Sequence, residues 1–117
     1  MEEFMLIFRH QDGKAVASPE QIQVWMKQTM DWIDTIAAQG KYVEGNGLPF
    51  DDARVLKATK EDVLVTNGPF GDIKETLGGY IIVKAESVEE AVDFAKSSPV
   101  LQGEGNSVEV RKIARGG

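Results

Sequence analysis

Apolar residues along this chain recur with two periods, and each period predicts its own elements. Glu3–Arg9 (EFMLIFR) reads as a strand with Phe4, Leu6 and Phe8 on one face and Met5 and Ile7 on the other, so both faces call for cover. The stretch Leu64–Lys84 organises the rest. Val63, Leu64 and Val65 lead into Asn67-Gly68-Pro69, a turn signal: an Asn side chain can bond the backbone two residues on, Gly accepts positive φ, and Pro presets its own φ. Tyr80, Ile81, Ile82 and Val83 follow, apolar at consecutive positions, which predicts a strand in the centre of a sheet. Arg54–Ala58 (RVLKA) and Asp62–Thr66 (DVLVT), separated by Thr59-Lys60-Glu61, predict a hairpin. Val108–Ile113 predicts a last strand, with Val108 and Val110 on one face and Glu109 and Arg111 on the other.

Helical spacing appears twice. Ser18-Pro19-Glu20-Gln21 supplies an N-cap serine, a proline at the first helical position and a capping-box glutamine. The helix it opens should run to about Gln39 and stop at Gly40, with Ile22, Trp25 or Met26, Thr29, Ile33 and Ile36 as the buried stripe. Trp25 and Trp32 lie near one face, as core residues or as the lining of a groove. Ser87-Val88-Glu89-Glu90 is a second capping box, and its helix should end at Ser97-Ser98-Pro99, because a residue before proline avoids the helical region. The polar segments Glu44–Ala53 and Leu101–Ser107 have no period and read as loops, the first as a connector or as a lid over a site.

Strand, helix, hairpin, strand, helix, strand is the order of a ferredoxin-like split βαβ sandwich carrying an extra hairpin, an α+β fold with both helices on one sheet face. The apolar second face then has nothing in the chain to cover it. The same face of a second copy is the economical cover, which predicts a homodimer in the form of a dimeric α+β barrel, with a small-molecule cavity inside.

Composition narrows the chemistry. The 117 residues suit a single domain, and a formal charge of −6 argues against nucleic acid, whose phosphates need clustered Lys and Arg. With no Cys and one His, a Cys/His zinc site is excluded, and no cofactor is expected. The glycines of Gly103-Glu104-Gly105 precede a strand instead of a helix, so they fail as a dinucleotide fingerprint. The start, MEEFMLIFRHQDGK, has acids and only a short apolar run, which predicts neither an export signal nor a membrane span and points to the cytoplasm.

The segment TNGPFGDIKETLGGYIIVKAESVEEAVDFAKSSP, followed by GEGNSVEVRKI, resembles the YCII-related family in its DGPF-type branch. Trp25-Met26, Trp32-Ile33 and Gly40-Lys41-Tyr42 extend the resemblance upstream, so it covers nearly the whole chain. It implies the dimeric ferredoxin-like fold, a pocket near the DGPF turn, and, for some relatives, a link to breakdown of chlorinated aromatics. The leading Asp of the motif is Asn67 here, a neutral amide that takes no proton at ordinary pH. Asn67 is therefore either a turn residue or the remnant of a lost catalytic carboxylate.

His10, beyond the end of a central strand, and Asp72 are the titratable candidates for acid-base catalysis; for His10 an exposed loop histidine is the structural alternative. Asn67, Phe70, Lys74, Tyr80 and Arg111 are the candidate ligand-binding residues. Asp72, Lys74 and Glu75 form either a polar rim or a solvated charge cluster, and Arg111 either pairs with Glu109 or a partner's acids or binds an anion. Two functions follow: an enzyme of proton-transfer or elimination type on a small organic substrate, such as an aromatic one, or a noncatalytic ligand-binding or accessory module.

Overall fold

The structure is a computed structural model that describes residues 1–10, 18–49, 52–67 and 76–114. Its elements are β1 (Glu2–His10), α1 (Pro19–Ala37), β2 (Tyr42–Gly47), β3 (Arg54–Ala58), β4 (Val63–Asn67), β5 (Thr76–Ala85), α2 (Val88–Lys96), a 3-10 turn (Pro99–Gln102) and β6 (Ser107–Lys112). Strands β2-β5-β1-β6 form one antiparallel sheet in that order, and β3 and β4 pair only with each other. β1-α1-β2 and β5-α2-β6 are thus two split βαβ units, each with its strands parallel and one strand of the other unit between or beside them. This is the ferredoxin-like arrangement, with the β3–β4 hairpin inserted between the units.

Local chemistry starts both helices where expected. The Ser18 hydroxyl accepts from the Gln21 N–H at 3.2 Å with Pro19 at the first helical position. Ser87 accepts from the Glu90 N–H at 3.2 Å, and the Glu90 carboxylate in turn accepts from the Glu86 N–H at 3.0 Å. Lys41 also donates to Glu90 at 2.7 Å, tying the corner after α1 to the start of α2. That hydrogen bond holds the Glu90 carboxyl below its ordinary pKa.

The core lies between one sheet face and both helices. Phe4, Leu6, Ile81, Val83 and Ala85 of the sheet pack with Trp32 and Ile36 of α1 and Ala91 and Ala95 of α2. Trp32 centres it: its ring meets Phe8 edge-on at 5.9 Å, and its indole N–H donates to the Phe94 carbonyl at 3.0 Å.

Three expectations need correction. The predicted stripe of α1 is buried only in its C-terminal half; Ile22, Trp25 and Met26 are exposed, and Trp32 supplies the anchor instead. Glu44–Gly47 is strand, not loop: Gly45 lets β2 approach β5 so closely that a Cβ there would meet Ile81 Cγ2 at 2.6 Å. The loop expected from Leu101 begins with a 3-10 turn, capped by Ser98 accepting from the Val100 N–H.

The hairpin stands apart from the core. Every residue of β3 is exposed, and so are Val63, Leu64 and Val65 of β4.

Candidate functional site

β1 carries the predicted histidine to the sheet's end. His10 is the last residue of that strand, paired in register with Thr76, the first of β5. It is half-buried, and burial pushes its imidazole pKa below the ordinary value. The reading of His10 as an exposed loop residue is therefore overturned. Its ring occupies the space in front of Gly78, where a Cβ would collide with Cδ2 and Nε2. The register shifts between Phe8 and Arg9, so Gly78 is the extra residue of a bulge opposite the strand end. Glycine at that bulge makes the room the ring needs.

Asn67 closes β4 opposite Arg54. The chain from Asn67 to Thr76 carries Phe70, Asp72 and Lys74, which lie outside the described residues.

Tyr80 and Arg111 belong to the other sheet face. Alternation along β1 puts His10 on the side of Phe8 and the helices, whereas Ile7, which pairs with both Tyr80 and Glu109, points the opposite way. The Tyr80 hydroxyl donates to Glu44 Oε1 at 3.2 Å and accepts from Asn46 Nδ2 at 3.1 Å, so two β2 residues orient the phenol. Across the same face, Arg9 contacts Glu109 at 2.7 Å and Arg111 Nε approaches Glu109 at 3.4 Å. Met5, Ile7 and Ile82 form the apolar middle between these polar edges.

The predicted residues thus fall at two loci: His10 at the strand end on the helix side, Tyr80 and Arg111 on the open face. Glu44, Asn46 and Arg9 are polar partners that residue type alone did not single out. Gly78 carried no local signal, since its role depends on a ring from another strand. Two surface depressions, one over Glu20, Lys27 and Asp31 of α1 and one beside Met1, Glu2 and Lys112, contain none of the candidate side chains. Among the described residues no group of three His, Asp or Glu side chains could hold a metal ion.

A pH dependence follows from His10. Folding favours the neutral imidazole, so above the ordinary histidine pKa the group leaves stability unchanged; as pH falls, the unfolded chain takes up the proton first and stability drops, levelling off below the lowered folded pKa. Urea denaturation at about pH 7.5 and about pH 5.5 should show a smaller acid-side loss in His10→Gln than in the wild type. Equal losses in both proteins would contradict the burial of this ring.

An uncharacterized protein of Rhizobium meliloti (strain 1021) is 32% identical over 99 residues, spanning 77% of this chain and 80% of that protein. Among solved structures, 5-chloro-2-hydroxyhydroquinone dehydrochlorinase (TftG) from Burkholderia phenoliruptrix AC1100, in complex with 2,5-dihydroxybenzoquinone, is similar over 97% of this chain and 95% of its own, at 21% identity and a TM-score of 0.48. Residues 3–115 match the YCII-related domain, and the chain belongs to that family.

Proposed function

We propose that this YCII-related protein is a homodimer that binds a small organic molecule and transfers a proton on it, with His10 as the acid-base group. The observation that carries the reading is the half-buried His10 ring, biased to its neutral form and seated against Gly78 at a strand end. A neutral imidazole with an unprotonated nitrogen can accept a proton at ordinary pH, which is what proton abstraction or the first step of an elimination needs. Asp72 is the second titratable group in this proposal. Asn67, Phe70 and Lys74, from the turn and the chain that runs into β5, are proposed to hold the ligand at this end. Tyr80 and Arg111 are proposed to line the space between two sheets.

The dimer is supported by the open sheet face, whose middle is apolar and which lies opposite the face that both helices cover. Light scattering at micromolar concentration should give a dimer, and Ile7→Glu should give a folded monomer. A monomeric wild type would remove this part of the reading. A cytoplasmic location is part of the same proposal; no helix among the described residues is long and apolar enough to cross a membrane.

Asn67 favours a second reading, a noncatalytic ligand-binding module, because the position where the DGPF motif has a carboxylate holds an amide. A thermal-shift and turnover screen with small aromatic acids and phenols separates the two. Catalysis predicts conversion by the wild type that falls by about 100-fold or more in His10→Gln. Ligands that raise the melting temperature of both proteins but are never converted would establish the binding module instead.

A further inference from the structure

Resting on the dimer proposed above, we infer that the two sheets face each other about a two-fold axis running along the strands, so that Glu44 on β2 of one subunit pairs with Arg111 on β6 of the other.

Register carries the argument. Glu44 pairs with Ile82, Ile82 with Met5 and Met5 with Arg111, so these four side chains form one row across the open face. The row is acidic at the β2 edge, apolar in the middle and basic at the β6 edge. Two chemical facts leave the ends available to a partner. Glu44 is exposed and receives the Tyr80 hydroxyl on one carboxylate oxygen. Arg111 Nε lies 3.4 Å from Glu109 Oε2, 71% of the Arg111 side chain is exposed, and a guanidinium has further N–H donors for a second carboxylate.

With the strands of the two sheets kept close to aligned, two face-to-face arrangements satisfy two-fold symmetry. An axis across the strands lays β2 on β2 and β6 on β6, which leaves Glu44 opposite residues of its own strand, where the open face holds Asn46 and no cation. An axis along the strands lays β2 on β6 and reverses each row, so that Glu44 meets Arg111, Ile82 meets Met5, and apolar middle covers apolar middle. The neighbouring row behaves in the same way: Lys84 and Glu3 are register partners on β5 and β1, and the reversal places each over the other's counterpart. Each row therefore sets opposite charges against each other, at the two edge strands in the first row and on the two central strands in the second, and isologous contact makes each pair occur twice. Aligned sheets in such sandwiches keep their strand directions within about 30° of each other, which preserves this row-on-row match. Opposite charges at the two edges would fix the orientation, while the apolar middle supplies the attraction.

The chain has no cysteine, so introduced thiols report the geometry without background. Glu44→Cys and Arg111→Cys are purified separately and treated with a short bis-maleimide, alone and after mixing to allow subunit exchange. Covalent dimers should form in the mixture and not in either variant alone. A Glu44→Cys protein that links to itself would overturn the inference in favour of the axis across the strands. Charge reversal gives an independent reading: Glu44→Arg and Arg111→Glu should each weaken the dimer by about tenfold or more, and the doubly reversed chain should recover most of that loss. If the wild type is a dimer and the double variant is no better than the single ones, the pairing is wrong while the dimer stands. A wild type that is monomeric by light scattering overturns both.

Discussion

Trp32→Ala is expected to cost about 3–5 kcal/mol, enough to leave the chain largely unfolded at ambient temperature given the marginal stability of small domains. Trp32 is 6% exposed and touches both β1, through Phe8, and α2, through the Phe94 carbonyl. Alanine would leave a cavity where three elements meet, and the surrounding strand and helices are too well tied by backbone bonds to collapse into it. Trp32→Phe separates the two contributions. It keeps most of the buried area and loses the indole N–H, but the Phe94 carbonyl still accepts from the Ser97 N–H at 3.4 Å and from its hydroxyl at 3.1 Å. That carbonyl is not orphaned, so the loss of the bond should cost only about 0.5–1.5 kcal/mol. Urea denaturation of the three proteins checks the order; a Phe variant as unstable as the Ala variant would show that the hydrogen bond, not the packing, holds the helices together.

How much of this was legible in the sequence depends on whether side chains or backbone carried the signal. β1 and β5 announced themselves because consecutive apolar residues fit an extended chain buried on both faces, and Ser18 and Ser87 marked their helices through local bonds that need no tertiary context. β2 was hidden. Its residues Glu44-Gly45-Asn46-Gly47 have no apolar period, and what makes them a strand is backbone pairing to β5, with Gly45 allowing the close approach. The apolar spacing of α1 correctly gave a helix but not its depth: periodicity says that a stripe is apolar, not that the sheet extends far enough to meet Ile22, Trp25 and Met26. The same limit applies to the site. Residue type made His10, Tyr80 and Arg111 candidates, but only the register revealed that the first lies on the opposite face from the other two.

Gly78→Ala should behave at the site like a loss of His10 while leaving the fold in place. An alanine Cβ at this position would collide with Cδ2 and Nε2 of the His10 ring, so the ring must turn away. The contact is with the end of a side chain, not with backbone, so rotation about the histidine side-chain torsions relieves it at a cost of about 1 kcal/mol. Gly45→Ala is the contrasting case. Its Cβ would meet Ile81 Cγ2 at 2.6 Å and the Tyr80 carbonyl oxygen at 2.8 Å, and the backbone oxygen cannot move without shifting β2 from β5. That variant should lose stability with His10 undisturbed. Because His10 is the one histidine of the chain, its imidazole proton resonances can be followed through a pH titration in each protein. In the wild type the pKa should lie below the ordinary value; in Gly78→Ala, with the ring released toward solvent, it should return upward. For any substrate the screen identifies, turnover by Gly78→Ala should fall toward that of His10→Gln, about 100-fold or more below the wild type, because an acid-base group must sit within hydrogen-bond reach of the proton it moves. An Ala variant with an unshifted histidine titration and full turnover would show that the ring does not need the space Gly78 leaves for it, and would remove the geometric basis for assigning His10 the proton transfer.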